Sequence, residues 1–225
     1  MGTLIVNILP YALGAAAAAP IVAVVTAVII AESKRPLLSA WVFTAGAAAL
    51  VVVYSAVVLV IAEGSGAFDS DGNSEAGAIV DLALGAIFLA LGALAVFSKD
   101  SPEKDAAQRE RVERAAAAGL GGMLLTGVVA QIINVDALAV FTGALKEVAE
   151  ASVSTGEGAV AVFVGLAVML TPYYVPAVIY AVSPERAGGL LRRMSDWLLA
   201  HSRELEIVVG LGFGALFLIK GISTI

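Results

Sequence analysis

The chain contains no cysteine, a single histidine and few charges, with 14% of its 225 residues being Asp, Glu, Lys or Arg. Without cysteine there is no disulfide, no thiolate zinc site and no dithiol relay. His201 alone cannot assemble a histidine metal site, so it reads as a surface residue, and neither a metal nor a cofactor is expected. Basic residues are outnumbered 13 to 19, giving a net charge of −6. Such a chain offers no positive face to nucleic acid. No Gly-x-x-x-x-Gly-Lys-Ser/Thr loop occurs, so energy for any transport must come from a gradient or another subunit. The opening Met-Gly-Thr-Leu has neither the basic stretch of a signal peptide nor the Ser/Thr at position 6 that myristoylation of Gly2 wants.

What is abundant is apolar sequence. Hydrophobic residues make up 60% of the chain and the mean hydropathy is +0.96, whereas a soluble domain is about 45–50% apolar. Six stretches reach about the length of a bilayer crossing, at 7–31, 39–62, 77–97, 115–145, 159–182 and 205–223. The fourth is long for one crossing. The loops and ends that remain are too short for a second domain with its own core. The expected fold is therefore all-α, a polytopic membrane protein with six transmembrane helices.

Charge orders these spans. All 13 basic residues except Lys146 and Lys220 lie in the loops between spans 1 and 2, 3 and 4, and 5 and 6. The other two loops are acidic, with Glu63, Asp69, Asp71, Glu75, Glu147, Glu150 and Glu157. Cytoplasmic loops are the ones enriched in Lys and Arg, so both termini are expected outside a plasma (cytoplasmic) membrane. The loop around Asp69, Asp71, Asn73 and Glu75 starts like a calcium loop but lacks its glycine at position 6 and glutamate at position 12. It reads as an acidic outer loop. Residues 184–203 place Leu190, Leu191, Met194, Trp197 and Leu198 on one helical face, with Arg192, Arg193, Asp196 and Arg203 largely on the other. That pattern predicts an interfacial amphipathic helix. Asp81, a few residues into span 3, is expected at the outer interface, and Lys220 is expected to snorkel to the headgroups.

The two halves echo each other. Gly85-Ala-Ile-Phe-Leu-Ala-Leu-Gly92 in span 3 and Gly214-Ala-Leu-Phe-Leu-Ile-Lys-Gly221 in span 6 agree at five of eight positions. Weaker matches pair spans 1 with 4 and 2 with 5 in the same order. Three spans per half invert the second half relative to the first, an architecture of secondary transporters whose sites lie at broken helices near the midplane. The expected organisation is a first repeat at 1–97, a charged cytoplasmic loop at 98–114, and a second repeat at 115–225 containing the amphipathic helix.

The residues that could carry chemistry lie at the expected breaks. Pro20 interrupts span 1, and Pro172 and Pro176 bracket Tyr173 and Tyr174 in span 5. Each proline removes an amide donor and crowds the preceding turn. Span 4 holds Gln131, Asn134 and Asp136, and a carboxylate at the centre of a bilayer costs roughly 2.5–3.5 kcal/mol or more, so an inert anchor has no reason to keep one there. Asp136 is read as an intramembrane group, with the outer interface as its alternative place. Thr26 joins the candidate lining. Asp81 and Asp136 lack the Gly-x-Gly-Asp context of an intramembrane aspartyl protease, and the spans hold no Ser–His pair, so no enzymatic activity is expected. Gly210 and Gly214 read as a helix-packing pair.

These residues carry a family likeness. Ala12-Leu-Gly14, Ala19-Pro-Ile21, Ala40-Trp-Val-Phe-Thr-Ala-Gly46, Asn134-Val-Asp136, Thr171-Pro-Tyr-Tyr-Val-Pro176, the stretch from Leu190 to Arg203 and Gly221-Ile222 resemble the glycolipid-addressing protein family within the lysine-exporter superfamily, over nearly the whole chain. Where many relatives carry Asn-Pro-Lys-Asn, this chain reads Asn134-Val135-Asp136-Ala137, without the helix-breaking proline and with an acid in place of the cation. The resemblance implies export or surface display of glycolipids. The expected function is a secondary exporter of a lipidic or other amphipathic small molecule, proton-coupled through Asp136. A membrane scaffold within a cell-envelope lipid export complex is the alternative reading. Export of metal ions or amino acids, as elsewhere in the superfamily, is a further one. Expected partners are membrane lipids and the cargo, with a homodimer also compatible with the small-residue faces.

Overall fold

Three of the apolar runs cannot stay straight. Pro20 has no N–H for the Ala16 carbonyl, which takes the Ala19 N–H at 3.3 Å instead. In the computed structural model, which describes residues 1–65, 75–97 and 119–224, the first run accordingly divides into α1 (Gly2–Ala17) and α2 (Pro20–Glu32), bent by 60°. There follow α3 (Pro36–Ser65) and α4 (Glu75–Phe97), both unbroken. The long fourth run is two helices, α5 (Gly119–Ile133) and α6 (Val135–Glu150), which meet at 75°. No proline stands here. Asn134 leaves helical geometry at φ −83°, ψ 58°, as suits a residue whose side chain competes for backbone groups. In the fifth run Pro172 leaves the Val168 carbonyl without its helical donor, and the Thr171 hydroxyl takes that place. The run becomes α7 (Thr155–Met169) and α8 (Thr171–Val182), bent by 66°. The chain ends in α9 (Pro184–Thr224), 41 residues long.

Among the described residues two helical stretches are long and apolar enough to cross a membrane, Pro36–Glu63 and Arg203–Ser223, and counting each bent pair as one span raises the number to as many as five. In α4 the apolar stretch Asp81–Leu94 falls short of a full crossing. The outer surface is apolar too: Val60, Phe163 and Ile219 are 68%, 70% and 70% exposed. A water-soluble protein does not present such a surface, and this is a membrane protein.

The amphipathic segment at 184–203 is not a separate interfacial helix. It continues into the last span as one helix, because nothing between Arg203 and Leu205 stops the helix: no proline, no glycine and no capping residue stands there.

Glycines decide which helices approach. A Cβ on Gly127 would lie 1.9 Å from the Phe43 carbonyl oxygen, and one on Gly46 would lie 2.1 Å from that of Leu124. So α3 and α5 touch backbone to backbone. The same holds for α4 and α9, where a Cβ on Gly210 would come within 2.6 Å of the Gly92 Cα. In that pair a Cβ on Gly85 would meet Cγ, Cδ2 and N of Leu218 at 2.8–2.9 Å, and one on Gly214 would meet the same three atoms of Leu89 at 2.7–2.9 Å. Elsewhere α1 packs on α6 and α7, and α2 packs on α8 and α9. Tyr173, Phe43, Phe88, Phe141 and Phe217 are the largest fully buried side chains.

The calcium-loop residues Asp69, Asp71 and Asn73 and the basic loop at 98–114 lie outside the described residues, as do the side chains of Glu75 and Lys220.

Candidate functional site

The breaks in spans 4 and 5 meet. Gln131 closes α5, Asn134 is the break residue, Asp136 opens α6 and Tyr173 opens α8. The Tyr173 hydroxyl donates to Gln131 Oε1 at 2.7 Å, in a fully buried contact. Asn134 lies near the same hydroxyl. Asp136 itself is half-buried, and the backbone N–H groups of Asp136 and Ala137 face its carboxylate. The Thr44 hydroxyl approaches the Tyr173 carbonyl oxygen at 3.2 Å while also donating to Ala40, and Phe43 packs on the Tyr173 ring with centroids 5.3 Å apart.

This cluster is not self-sufficient. Gln131 Nε2 and Asn134 Nδ2 are buried and make no hydrogen bond. An amide donor without a partner in an apolar interior costs about 1–3 kcal/mol. Two of them beside one tyrosine hydroxyl form a place for an acceptor-rich group.

The other candidates sit elsewhere. Pro172 and Pro176 face away from the cluster and, with Pro20, border an apolar cavity. The Thr26 hydroxyl, fully buried, is occupied by the Val22 carbonyl at 3.0 Å. Tyr174 stacks on Trp41, with centroids 6.4 Å apart and planes 6° apart. The broken helices thus bring Gln131, Asn134, Asp136 and Tyr173 together and leave Thr26 and Tyr174 on other faces.

Residues 8–223 match the family model described as Sap, sulfolipid-1-addressing protein. The chain belongs to that family. No curated protein and no solved structure matches it. The sulfolipid-1-addressing family agrees with the likeness to glycolipid-addressing proteins read from the sequence, and it makes this a lipid-related membrane protein. The missing proline at the Asn134-Val135-Asp136 motif does not keep this family member from breaking its fourth span there, since Asn134 breaks it.

Sequence reasoning missed one pair of residues with chemistry. Asp81, expected at the outer interface, is fully buried within the protein, and Lys146, just past the expected end of the fourth span, stands on α6, 2% exposed. They form an ion pair, with Glu150 3.6 Å from the same ammonium. A charge inside an apolar bundle survives only when paired, and the pairing joins α4 to α6 across 65 residues of sequence. The one available signal was that Asp81 is a lone charge in an apolar run and Lys146 the one cation of an acidic stretch. His201, read as a surface residue, is half-buried and stacks on Trp197 at 4.8 Å. Among the described residues no group of three His, Cys, Asp or Glu could hold a metal ion.

Proposed function

We propose that this protein is a secondary exporter of a glycolipid or similar amphipathic molecule across the plasma membrane, with the polar head handled by Gln131, Asn134, Asp136 and Tyr173. The observation that carries this reading is the pair of buried, unpartnered amide donors at the junction of two broken helices. Sugar hydroxyls and sulfate oxygens are acceptors of the kind these donors lack. The family match to a sulfolipid-addressing protein supports a cargo of that class.

The working architecture is six spans in a 3+3 inverted repeat with both termini outside. The equivalent contacts of Gly85 with Leu218 and Gly214 with Leu89 support it, because a two-fold relation between spans 3 and 6 exchanges those two contacts. The distribution of Lys and Arg supports the orientation. The half-buried Asp136 supplies the exchangeable proton in this scheme. Broken helices at the meeting of two repeats are where transporters hold cargo.

The test compares surface and medium lipids by mass spectrometry in strains lacking the gene, complemented with it, or complemented with Asp136→Asn or Gln131→Leu at equal expression. The expected result is one compound that disappears outside, accumulates inside, and returns only with the native gene. If all versions restore it equally, the cluster is not on the cargo path and a scaffold role takes over. If no lipid changes, the lipid cargo is wrong.

A further inference from the structure

The polar cluster has an apolar counterpart on the opposite side of the same helical turn. Tyr173 faces Gln131, while its neighbours Thr171, Pro172 and Pro176 line a cavity of about 340 Å³. Across from them stand Ala16, Ala17 and Pro20, from the break between α1 and α2, and the amphipathic part of α9 closes the third side with Met194, Trp197 and Leu198. The cavity exists because two helices stop there and the residues at the break are alanines too small to fill the gap.

Its chemistry selects the occupant. The lining is apolar except for the Trp197 indole N–H and Thr171, whose hydroxyl already donates to the Val168 carbonyl. Water, a sugar or a phosphate in such a space finds too few of the polar partners that would hold it. The volume is at the lower end of the range of small-molecule sites, about 300–1,000 Å³. Two lining residues, Ala17 and Trp197, are exposed and form the mouth. Trp197, 53% exposed, is of the type that anchors at the depth of lipid headgroups. Arg193 is exposed on α9 one turn before Trp197, on the same side of the helix. A cation at the mouth of an apolar slot is complementary to one thing in a membrane, an anionic lipid.

We infer that the cavity between the α1–α2 break, the start of α8 and the amphipathic part of α9 is a binding site for an acyl chain of an anionic membrane lipid, whose headgroup rests at Arg193. This rests on the export reading and deepens it by naming where the cargo is first held, tail in the cavity, before its head passes to Gln131, Asn134, Asp136 and Tyr173. The exporter takes cargo sideways out of the leaflet, past Trp197. The orientation read from the basic loops makes that the cytoplasmic leaflet.

The experiment uses the full chain in vesicles of phosphatidylcholine and phosphatidylglycerol, doped with phosphatidylglycerol bearing a photoactivatable group on its acyl chain. Cross-links are mapped by mass spectrometry. Expected labelling at Ala16–Ala23 and Met194–Leu198 exceeds that at the lipid-facing Val52 and Val53 of α3 several-fold. Filling the cavity with Ala23→Trp removes the excess and leaves the Val52 signal unchanged. Ala17→Trp, at the exposed mouth, does the same without loading the packed interior, so the result stands if Ala23→Trp fails to fold. Arg193→Gln lowers labelling by the phosphatidylglycerol probe towards that of a phosphatidylcholine probe. Uniform labelling of all lipid-facing helices, or an excess that survives Ala17→Trp, overturns the site. Equal labelling by the two probes in the native protein overturns the anionic headgroup. Binding is read here without transport: selective labelling in a protein that exports nothing would retain the cavity and remove the export reading.

Discussion

Two buried polar contacts have opposite prospects under mutation. The Asp81–Lys146 pair sits in the apolar interior, so removing one partner strands the other. Lys146→Met should destabilise the protein by about 3–5 kcal/mol. Adding Asp81→Asn should recover most of that loss, because the penalty is the unpaired charge and not the missing attraction. Denaturant or thermal unfolding in detergent compares the two variants, and a double variant as unstable as the single would refute the pairing argument. Tyr173→Phe removes the hydroxyl that donates to Gln131 Oε1. Hydrogen bonds between membrane helices contribute about 0.5–2 kcal/mol, so that variant should remain folded with a loss in this range while cargo handling falls. A fold that collapses on losing this hydroxyl would make Tyr173 a structural residue.

Helix approach and helix starts show what a single position does to an element. Gly127 faces a carbonyl that leaves no room for a side chain, whereas a Cβ on Gly121 of the same helix would meet nothing within 4 Å. Gly127→Val should therefore separate α3 from α5 and cost about 1–3 kcal/mol. Gly121→Ala should be neutral or stabilise α5 by up to about 1 kcal/mol. Melting temperatures of the two variants check this, and equal effects would refute the close approach. At the start of α7, ahead of the apolar run, Ser154 and Glu157 form a capping box. Hydrogen bonds from the Ser154 backbone N–H and hydroxyl hold the Glu157 carboxyl below its usual range. A lowered folded pKa contributes stability that is present above the ordinary glutamate value of about 4.3 and is lost as pH falls through the lowered one. Amide exchange over Thr155–Gly158 should speed up in that acid window in the native chain. Ser154→Ala should abolish the dependence, and an unchanged profile would count against the cap.

The molecule as a whole can be oriented with unusual economy, because it contains no native cysteine to give background. Thr3→Cys and Ser223→Cys should react with an impermeant maleimide added to intact cells, and Lys34→Cys should react only after the membrane is opened. Labelling of Lys34→Cys from outside would invert the topology and place the mouth of the acyl cavity in the other leaflet.

The residues themselves determine that this chain belongs in a bilayer, since 60% apolar composition leaves no other solvent for the exposed Val60, Phe163 and Ile219. They also mark Pro20 and Pro172 as places where a helix can break, because a missing N–H is a local fact, although Pro10 and Pro176 lie inside helices that continue. The break at Asn134 was not legible in this way. Asparagine permits a non-helical backbone without requiring one, and the choice rests on the packing of α5 and α6 against different neighbours. Long-range pairing is beyond any local pattern: Asp81 and Lys146 each look like a terminal charge until α4 and α6 are folded together. The same is true of the site, where Gln131 and Asn134 are separated from Tyr173 by about 40 residues of chain and face it only once two bent helices meet. Only the tertiary structure decides which faces of those bends point at each other, because burial in an apolar bundle rewards every polar group that finds a partner and leaves visible, at this site, the two amides that do not.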